Sequence, residues 1–175
     1  MFLAAELGVV DDVRRAARAE PAVASRFDGR GGTALHGACY WGQRAVAEVL
    51  LGSGADPNAP TRDEFLQIAP LGSAVATTPG VPQPSDDEDV VLGLVRLLLD
   101  RGADPRQARR DGMTPLHGAA WRGLDAVVEA LLDVGADPTV AATSGPHAGQ
   151  TAADVALSQG HLILAARLDD HAASA

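Results

Sequence analysis

The sequence feature that most constrains the fold is a ten-residue block that occurs twice, at 33–42 and 114–123. The two copies read TALHGACYWG and TPLHGAAWRG, and each is followed at the same distance by an apolar run and then by Gly-Ala-Asp-Pro. This tetrapeptide begins at positions 54, 102 and 135, so that successive copies lie 48 and 33 residues apart. Such self-similarity predicts a repeat array, in which each unit packs only against its neighbours.

Each block predicts a pair of short helices. Thr33 and Thr114 stand where a helix begins, because a threonine hydroxyl satisfies an otherwise free N–H there, and Pro115 suits the first turn. A glycine ends the first helix in both copies. The second helix, predicted over 43–51 and 124–133, has apolar residues at helical spacing and ends at the glycine of Gly-Ala-Asp-Pro. Three equivalent aspartates are expected to cap turn N–H groups: Asp56, Asp104 and Asp137.

A period of 33 residues with the pattern T-P-L-H-x-A is typical of ankyrin repeats, and the chain resembles an ankyrin-repeat protein over essentially its whole length. The resemblance implies an all-α fold, a solenoid of stacked helix-turn-helix units with β-hairpin-like finger loops. We predict a single domain over 1–175, whose approximate repeats are 1–27 as an N-terminal cap, 28–60, 61–107 with an insert within 77–89, 108–140, and 141–175 as a C-terminal cap. The last cap is expected to have a polar outer face at Arg167, Asp169, Asp170 and His171.

The third repeat departs from the pattern. The segment APLGSA at 69–74 stands in place of T-P-L-H-x-A, so that Gly72 takes the position of the histidine. The resemblance implies that this histidine is a strut between neighbouring loops, bonded also to the threonine of its own block. We therefore expect His36 and His117 to be struts, although a histidine pair also suits metal binding or acid–base work. The repeat that contains Gly72 should be the least well tied.

Composition and charge argue against several classes of function. The net charge of −9 disfavours a nucleic-acid partner, because phosphates would be repelled. The single cysteine, Cys39, excludes an intramolecular disulfide framework and a Cys-based zinc site, and we expect it to be buried and inert. Neither a signal-peptide pattern nor an apolar run of membrane-spanning length is present, so we expect a cytoplasmic protein without membrane contact. No catalytic constellation emerges, so we expect no enzyme activity, cofactor or metal.

The resemblance also implies a binding surface. In this family, two variable positions at the end of each first helix, together with the finger tips, face a concave groove. The chain's two tryptophans and one tyrosine all fall on this row, and these residue types dominate binding hot spots. The alternative is that the tryptophans merely pack against the neighbouring repeat. The finger arginines are expected to place positive charge beside the groove. The candidate partner-binding residues are Tyr40, Trp41, Trp121, Arg122, Ser158 and Gln159 on the helices and Arg30, Arg109, Arg110 and Met113 on the fingers.

These features predict a non-catalytic module that binds a protein partner through the groove and the fingers, with a monomer as the default. Two alternatives stay open. One is an inhibitor or immunity-type protein that blocks a partner enzyme, since the acidic body would suit a basic toxin or nuclease. The other is a small-molecule or catalytic site on the repeat stack with the insert as a lid, for which no constellation argues.

Overall fold

Ten α-helices follow one another in pairs through the residues that the structure describes, 1–76 and 87–174 of a computed structural model. The first helices of the pairs are α1 (Phe2–Glu6), α3 (Ala34–Tyr40), α5 (Pro70–Ala74), α7 (Pro115–Arg122) and α9 (Ala152–Ser158). The second helices are α2 (Val10–Ala19), α4 (Arg44–Gly52), α6 (Glu88–Asp100), α8 (Asp125–Asp133) and α10 (Leu162–Ser174). First helices pack on first helices, and α2, α4, α6 and α8 form a second row. The predicted all-α solenoid is confirmed.

The helix ends follow from local chemistry. Thr33 and Thr114 open α3 and α7 in capping boxes whose other member is the histidine three residues on. Gly123 ends α7 with a φ of 65°, in the left-handed region where glycine has no steric cost. The second helices α4 and α8 begin and end close to their predicted bounds. The residues that begin and end each helix therefore lie within one pair, and contacts from other repeats are not needed to explain them.

The Gly-Ala-Asp-Pro turns have the predicted caps. Asp56, Asp104 and Asp137 each accept the backbone N–H of the residue two positions on, at 2.8 Å. These bonds satisfy N–H groups of the turn that follows each second helix, so the three aspartates are part of the architecture.

One continuous core of alanine, leucine and valine runs through the stack. Ala38 and Ala119 on the first helices are fully buried, and their small side chains allow close approach of neighbouring helices. The glycine that follows each histidine has the same effect, which the sequence analysis missed. A Cβ atom on Gly118 would lie 2.9 Å from Cγ2 of Val75 in the preceding repeat, and one on Gly37 would lie 3.0 Å from Cγ of Glu6. Neighbouring first helices therefore touch where the block has its glycine.

The insert and the C-terminal cap differ from expectation. Helix α6 begins at Glu88, and Asp87 accepts the N–H of Asp89 at 3.0 Å, so the last residues of the predicted insert belong to a helix start. Its other residues, from Thr77 on, lie outside the described residues.

The prediction for Arg167 is wrong: its guanidinium turns back to the preceding repeat and pairs with carboxylates of α8, Asp125 at 2.8 Å and Glu129 at 2.9 Å. The cap also exposes apolar side chains beside its polar ones: Leu157, Leu162 and Ile163.

Candidate functional site

Four finger loops precede α3, α5, α7 and α9, and each is closed by one backbone hydrogen bond. We number them finger 1 (28–32), finger 2 (61–68), finger 3 (109–113) and finger 4 (142–150). Their closing bonds join Asp28 N–H to Gly32 O at 2.8 Å, Thr61 to Ile68 at 2.9 Å, Arg109 to Met113 at 2.8 Å and Ala142 to Gln150 at 2.9 Å. The side of the stack formed by the fingers and the first helices is called the groove face below.

Backbone hydrogen bonds also join each finger to the next. Gly31 O accepts the N–H of Arg62, and Leu66 O accepts that of Arg110, both at 2.8 Å. Asp111 O accepts the N–H of Thr143 at 2.8 Å in the same way. These bonds fix the spacing of the fingers, so that the groove face is a pre-formed surface.

An aspartate caps the turn of each of the first three fingers, a role that the sequence analysis did not assign. Asp28 accepts the N–H groups of Arg30 and Gly32, and the carboxylate of Asp63 accepts those of Phe65 and Leu66. Burial of these two carboxyls alone would raise their pKa, but the N–H bonds outweigh that effect and hold each pKa below its ordinary value. The available signal in the sequence was the aspartate within each of these three fingers, at positions 28, 63 and 111.

The histidine struts, defined as His36 and His117, have the geometry that was predicted. In His36, Nδ1 accepts the N–H of Thr33 at 3.0 Å and Nε2 lies 3.0 Å from the carbonyl oxygen of Ile68 in the next repeat. In His117, the same atoms lie 3.2 Å from the N–H of Thr114 and 3.2 Å from the carbonyl oxygen of Gln150. Each ring therefore caps its own helix and ties the next finger to it.

Both struts are held neutral. Burial is the largest cause that lowers the pKa of His36 and of His117. Nδ1 must also be unprotonated to accept a backbone N–H, which fixes the tautomer with hydrogen on Nε2. Within residues 1–76 and 87–174, no group of three or more histidine, cysteine, aspartate or glutamate side chains is placed to hold a metal ion.

A cleft of about 290 Å³ opens on the groove face between α5 and α7. Its walls include Gly72 and Ala76 on one side and Trp121 on the other, with Met113 and His147 from fingers 3 and 4. Gly72 takes the position of a strut, and Ala76 takes the position that Trp121 has in the next repeat. Two large side chains are therefore missing from one wall, and the space stays open.

The predicted aromatic side chains lie beside hollows on the groove face. Tyr40 and Trp41 make an edge-to-face contact at 5.2 Å between ring centroids and line a second hollow of about 370 Å³. Trp121 makes a similar contact with His147 at 4.9 Å and lines the cleft. All four rings are half-buried, so each keeps a face in contact with the protein and part of its surface in solvent. Two aromatic pairs thus flank α5.

The predicted finger arginines Arg30 and Arg110 bind other segments of the chain. Arg30 is paired with Glu6 and with Asp28, although 74% of its side chain is exposed. Arg110 donates to the carbonyl oxygen of Glu64 at 2.6 Å in finger 2. Both arginines therefore bind neighbouring segments, but of these two only Arg30 is paired with carboxylates in the part of the chain that the structure describes.

Arg109 and Asp111 form the best-shielded ion pair on the groove face. Two N–H groups of the guanidinium reach the two carboxylate oxygens at 3.1 and 2.5 Å, and each side chain is only about one-fifth exposed. Burial alone would raise the pKa of Asp111, but the bonds from Arg109 and from the N–H of Met113 hold it below its ordinary value. Both charges are used within finger 3.

The remaining candidates fall into two groups. Ser158 and Gln159 are exposed at the last position of the row, and Arg122 donates to the carbonyl oxygen of Ala74 at 3.4 Å. Met113 is only 7% exposed, and its sulfur accepts a hydrogen bond from Arg109 at 3.0 Å. Its prediction as an exposed finger contact is therefore wrong, because the residue before the capping threonine points into the stack.

One exposed finger residue was missed. Phe65, at the tip of finger 2, is 81% exposed, and its neighbour Leu66 is 40% exposed. Finger 2 is longer than fingers 1 and 3, and a phenylalanine within its polar sequence was the available signal. An aromatic side chain held out by the Asp63 cap adds apolar surface at the edge of the groove face.

Repeated helix pairs, linked fingers and an open groove face define a solenoid repeat protein. The sequence matches the family profile described as "Ankyrin repeats (3 copies)" over 88–173 and the one described as "Ankyrin repeat" over 30–62. The chain belongs to the ankyrin-repeat family. Ankyrin repeats are general protein–protein interaction modules.

Three relatives illustrate this similarity. Ankyrin repeat and SOCS box protein 16 of Mus musculus is 38% identical over 125 residues, which is 71% of this chain and 25% of that protein. Neurogenic locus notch homolog protein 1 of Danio rerio is 34% identical over 75% of this chain and 5% of its own length. E3 ubiquitin-protein ligase KEG of Arabidopsis thaliana is 31% identical over 65% of this chain and 6% of its own length. The chain thus spans a quarter or less of each relative. In the part that the structure describes, no helix is long and apolar enough to cross a membrane.

Proposed function

We propose that this chain is a non-catalytic module that holds a protein partner against its groove face, with Tyr40, Trp41 and Trp121 as the main contacts. The observation that supports this proposal is the placement of both aromatic pairs, half-buried, beside the two hollows on one side of the stack. Tyrosine and tryptophan bury a large area at a small cost in side-chain entropy, so a partner that covers them gains much of its binding energy there.

The linked fingers support the same proposal. Because hydrogen bonds between Gly31 and Arg62, Leu66 and Arg110, and Asp111 and Thr143 already fix the face, little ordering accompanies binding. The cleft of about 290 Å³ lies at the lower end of the range for small-molecule sites, about 300–1,000 Å³, which favours a protruding side chain of a protein over a free ligand.

The charge of the chain indicates which partners approach fastest. The net charge is −9, and Arg30 and Arg109 of the groove face are paired with carboxylates of the chain. A basic partner is therefore attracted at long range, and this attraction should weaken with added salt because it is screened beyond roughly 10 Å at 0.1 M. A cytoplasmic location and a monomeric state remain predictions.

Alanine substitution at Trp41 and Trp121 tests the proposal. The full chain and the double variant serve as baits for affinity capture from the native cell, and the captured partner is then titrated against single variants. Each substitution should weaken binding at least about tenfold, since a hot-spot residue contributes about 2 kcal/mol or more. Ile163→Ala is the control, because Ile163 is 79% exposed on α10 and lies outside the row.

Packing and binding roles are separated by stability measurements on the same variants. A binding role requires that helicity is kept and that the melting temperature falls by only a few degrees for Trp41→Ala and Trp121→Ala. Recovery of the same partners, at the same affinity, by the double variant and the full chain would sink the proposal. A large loss of stability would instead make the two tryptophans packing residues.

A further inference from the structure

The cleft between α5 and α7 lacks one side chain that the chain itself provides in two equivalent places. The carbonyl oxygen of Ile68 accepts the N–H of Thr61 at 2.9 Å and also faces Nε2 of His36 at 3.0 Å. The carbonyl oxygen of Gln150 likewise has both a finger N–H and the imidazole of His117. The third equivalent, Met113 O, receives only the N–H of Arg109 among the described residues, at 2.8 Å.

A second acceptor at the cleft has no partner among the described residues. Gln107 lines the cleft, and its Oε1 is buried with no hydrogen bond from the described residues. Its Nε2 donates to the carbonyl oxygen of Asn58 at 3.0 Å, which fixes the orientation of the amide and leaves Oε1 as an acceptor. In the described part of the chain, Gln107 Oε1 has no donor, and Met113 O has one of the two hydrogen bonds that a carbonyl oxygen can accept, so both acceptors favour an occupant that brings N–H groups.

The charged groups of the cleft do not select a charged occupant. Arg109 and Asp111 bind each other through two hydrogen bonds and are largely shielded from solvent. The rest of the lining is mostly apolar and includes Val75, Pro115 and Trp121. The occupant that these walls fit is therefore a neutral, flat ring with an N–H group.

We propose that the cleft receives a heteroaromatic N–H side chain, a histidine or tryptophan, from a protein partner, seated where repeats two and four have their own histidine. The ring donates to Met113 O and packs against Trp121. This inference rests on the proposed function for the source of the ring, and it adds the chemistry of the residue that the partner must present. A partner is thus selected for a protruding ring as well as for its fit to the aromatic row.

Imidazole itself is the probe for the cleft. We expect it to bind the full chain at about pH 8, where it is neutral, with a dissociation constant on the order of millimolar. Amide and indole resonances of Met113, Thr114 and Trp121 should shift and saturate in ¹H–¹⁵N NMR spectra. 1-Methylimidazole has the same ring without an N–H, and should bind about tenfold more weakly because one hydrogen bond is lost. Equal binding of the two compounds, or shifts that never saturate, would overturn the proposal.

Gly72→His supplies the ring from within the chain. It should fill the cleft, raise the melting temperature and abolish imidazole binding. A Cβ atom at position 72 would lie 2.8 Å from Cγ1 of Ile68, so Ile68→Ala/Gly72→His gives the new side chain more room and keeps the test informative if the single variant folds poorly. Imidazole binding that persists in a folded Gly72→His chain would place the compound elsewhere and overturn the proposal.

A captured partner separates this inference from the proposed function. Gly72→His should weaken binding of that partner at least about tenfold, as the loss of one well-buried anchor does. If the tryptophan variants weaken binding and Gly72→His does not, the groove face binds a partner but the cleft does not take its side chain. In that outcome the proposed function stands and the present inference is wrong.

Discussion

Replacing His117 with alanine tests the strut most directly, because this residue is 1% exposed and joins two repeats. The change removes the acceptor of the Thr114 N–H and the donor to Gln150 O. An orphaned buried N–H costs about 1–3 kcal/mol, and Gln150 O, which keeps the N–H of Ala142, loses only a net bond of about 1 kcal/mol. The missing ring adds about 1 kcal/mol through the cavity it leaves, so the free energy of unfolding should fall by about 3–5 kcal/mol in total.

His117→Asn divides this loss between the helix cap and the tie to the next repeat. A short side chain with one acceptor is sufficient for the cap, since Asp154 accepts the N–H of Thr151 at 2.9 Å in the last repeat. Asparagine should therefore keep the cap and lose only the bond to Gln150, at a cost of about 1–2 kcal/mol. If His117→Asn loses as much stability as His117→Ala, the tie to the next repeat accounts for the whole effect.

Urea denaturation followed by fluorescence measures these losses. In single-tryptophan variants, Trp121 reports on the repeat that contains His117 and Trp41 on the repeat that contains His36. Because a repeat contacts only its neighbours, the Trp121 transition in His117→Ala should move to lower urea than the Trp41 transition. A total loss below about 1 kcal/mol, or equal shifts of both transitions, would refute the reasoning.

Three further predictions concern pH, one turn and the cysteine. The pKa of both histidine struts is lowered in the folded chain, mainly by burial. Below about pH 6.5, the ordinary pKa of histidine, the unfolded chain therefore binds more protons than the folded one, and the free energy of unfolding should decrease as the pH falls. A variant with both struts replaced should lose this pH dependence. Gly112→Ala should lower the free energy of unfolding, measured by urea titration, by at least about 1 kcal/mol more than Gly54→Ala does. Both positions have φ above 80°, but a Cβ atom at 112 would lie 2.6 Å from the N atom of Thr143, whereas a Cβ atom at 54 would have no neighbouring atom within 4 Å. Cys39 is buried and burial raises the pKa of its thiol, so Ellman's reagent should react with it only after unfolding; rapid reaction of the native chain would contradict the packing of α3.

The parts of the fold that were predictable are those that a single repeat specifies alone. Thr114 with His117, and Gly123 at the end of α7, act within one helix, so their chemistry can be read from the order of residues. The period of the repeat then predicts the stacking, and the resemblance to ankyrin repeats implies the bond from each strut to the next finger. The same reasoning put the tryptophans on one row, and in the structure both line hollows of the groove face.

The parts that were not predictable depend on which neighbour a long side chain reaches. Several carboxylates lie within reach of Arg30 and of Arg167. Only the packed structure shows that Arg30 pairs with Glu6 and that Arg167 pairs with carboxylates of α8. Met113 was misplaced for a related reason, since its side chain is buried beside the cleft rather than exposed on finger 3. The cleft could not be predicted, because the sequence does not show that Ile68 packs over Gly72 and leaves the space beyond it unfilled.

The open cleft is compatible with a stable stack because the contacts that join repeats three and four lie around its edge. The N–H of Arg110 bonds to Leu66 O in the fingers, and Arg122 reaches the carbonyl oxygen of Ala74 at the end of α5. These bonds join repeats three and four although position 72 has no histidine strut. The glycine at this position therefore leaves a recess on the groove face without separating the repeat from its neighbour, and we expect this repeat to be less stable than those that have a strut.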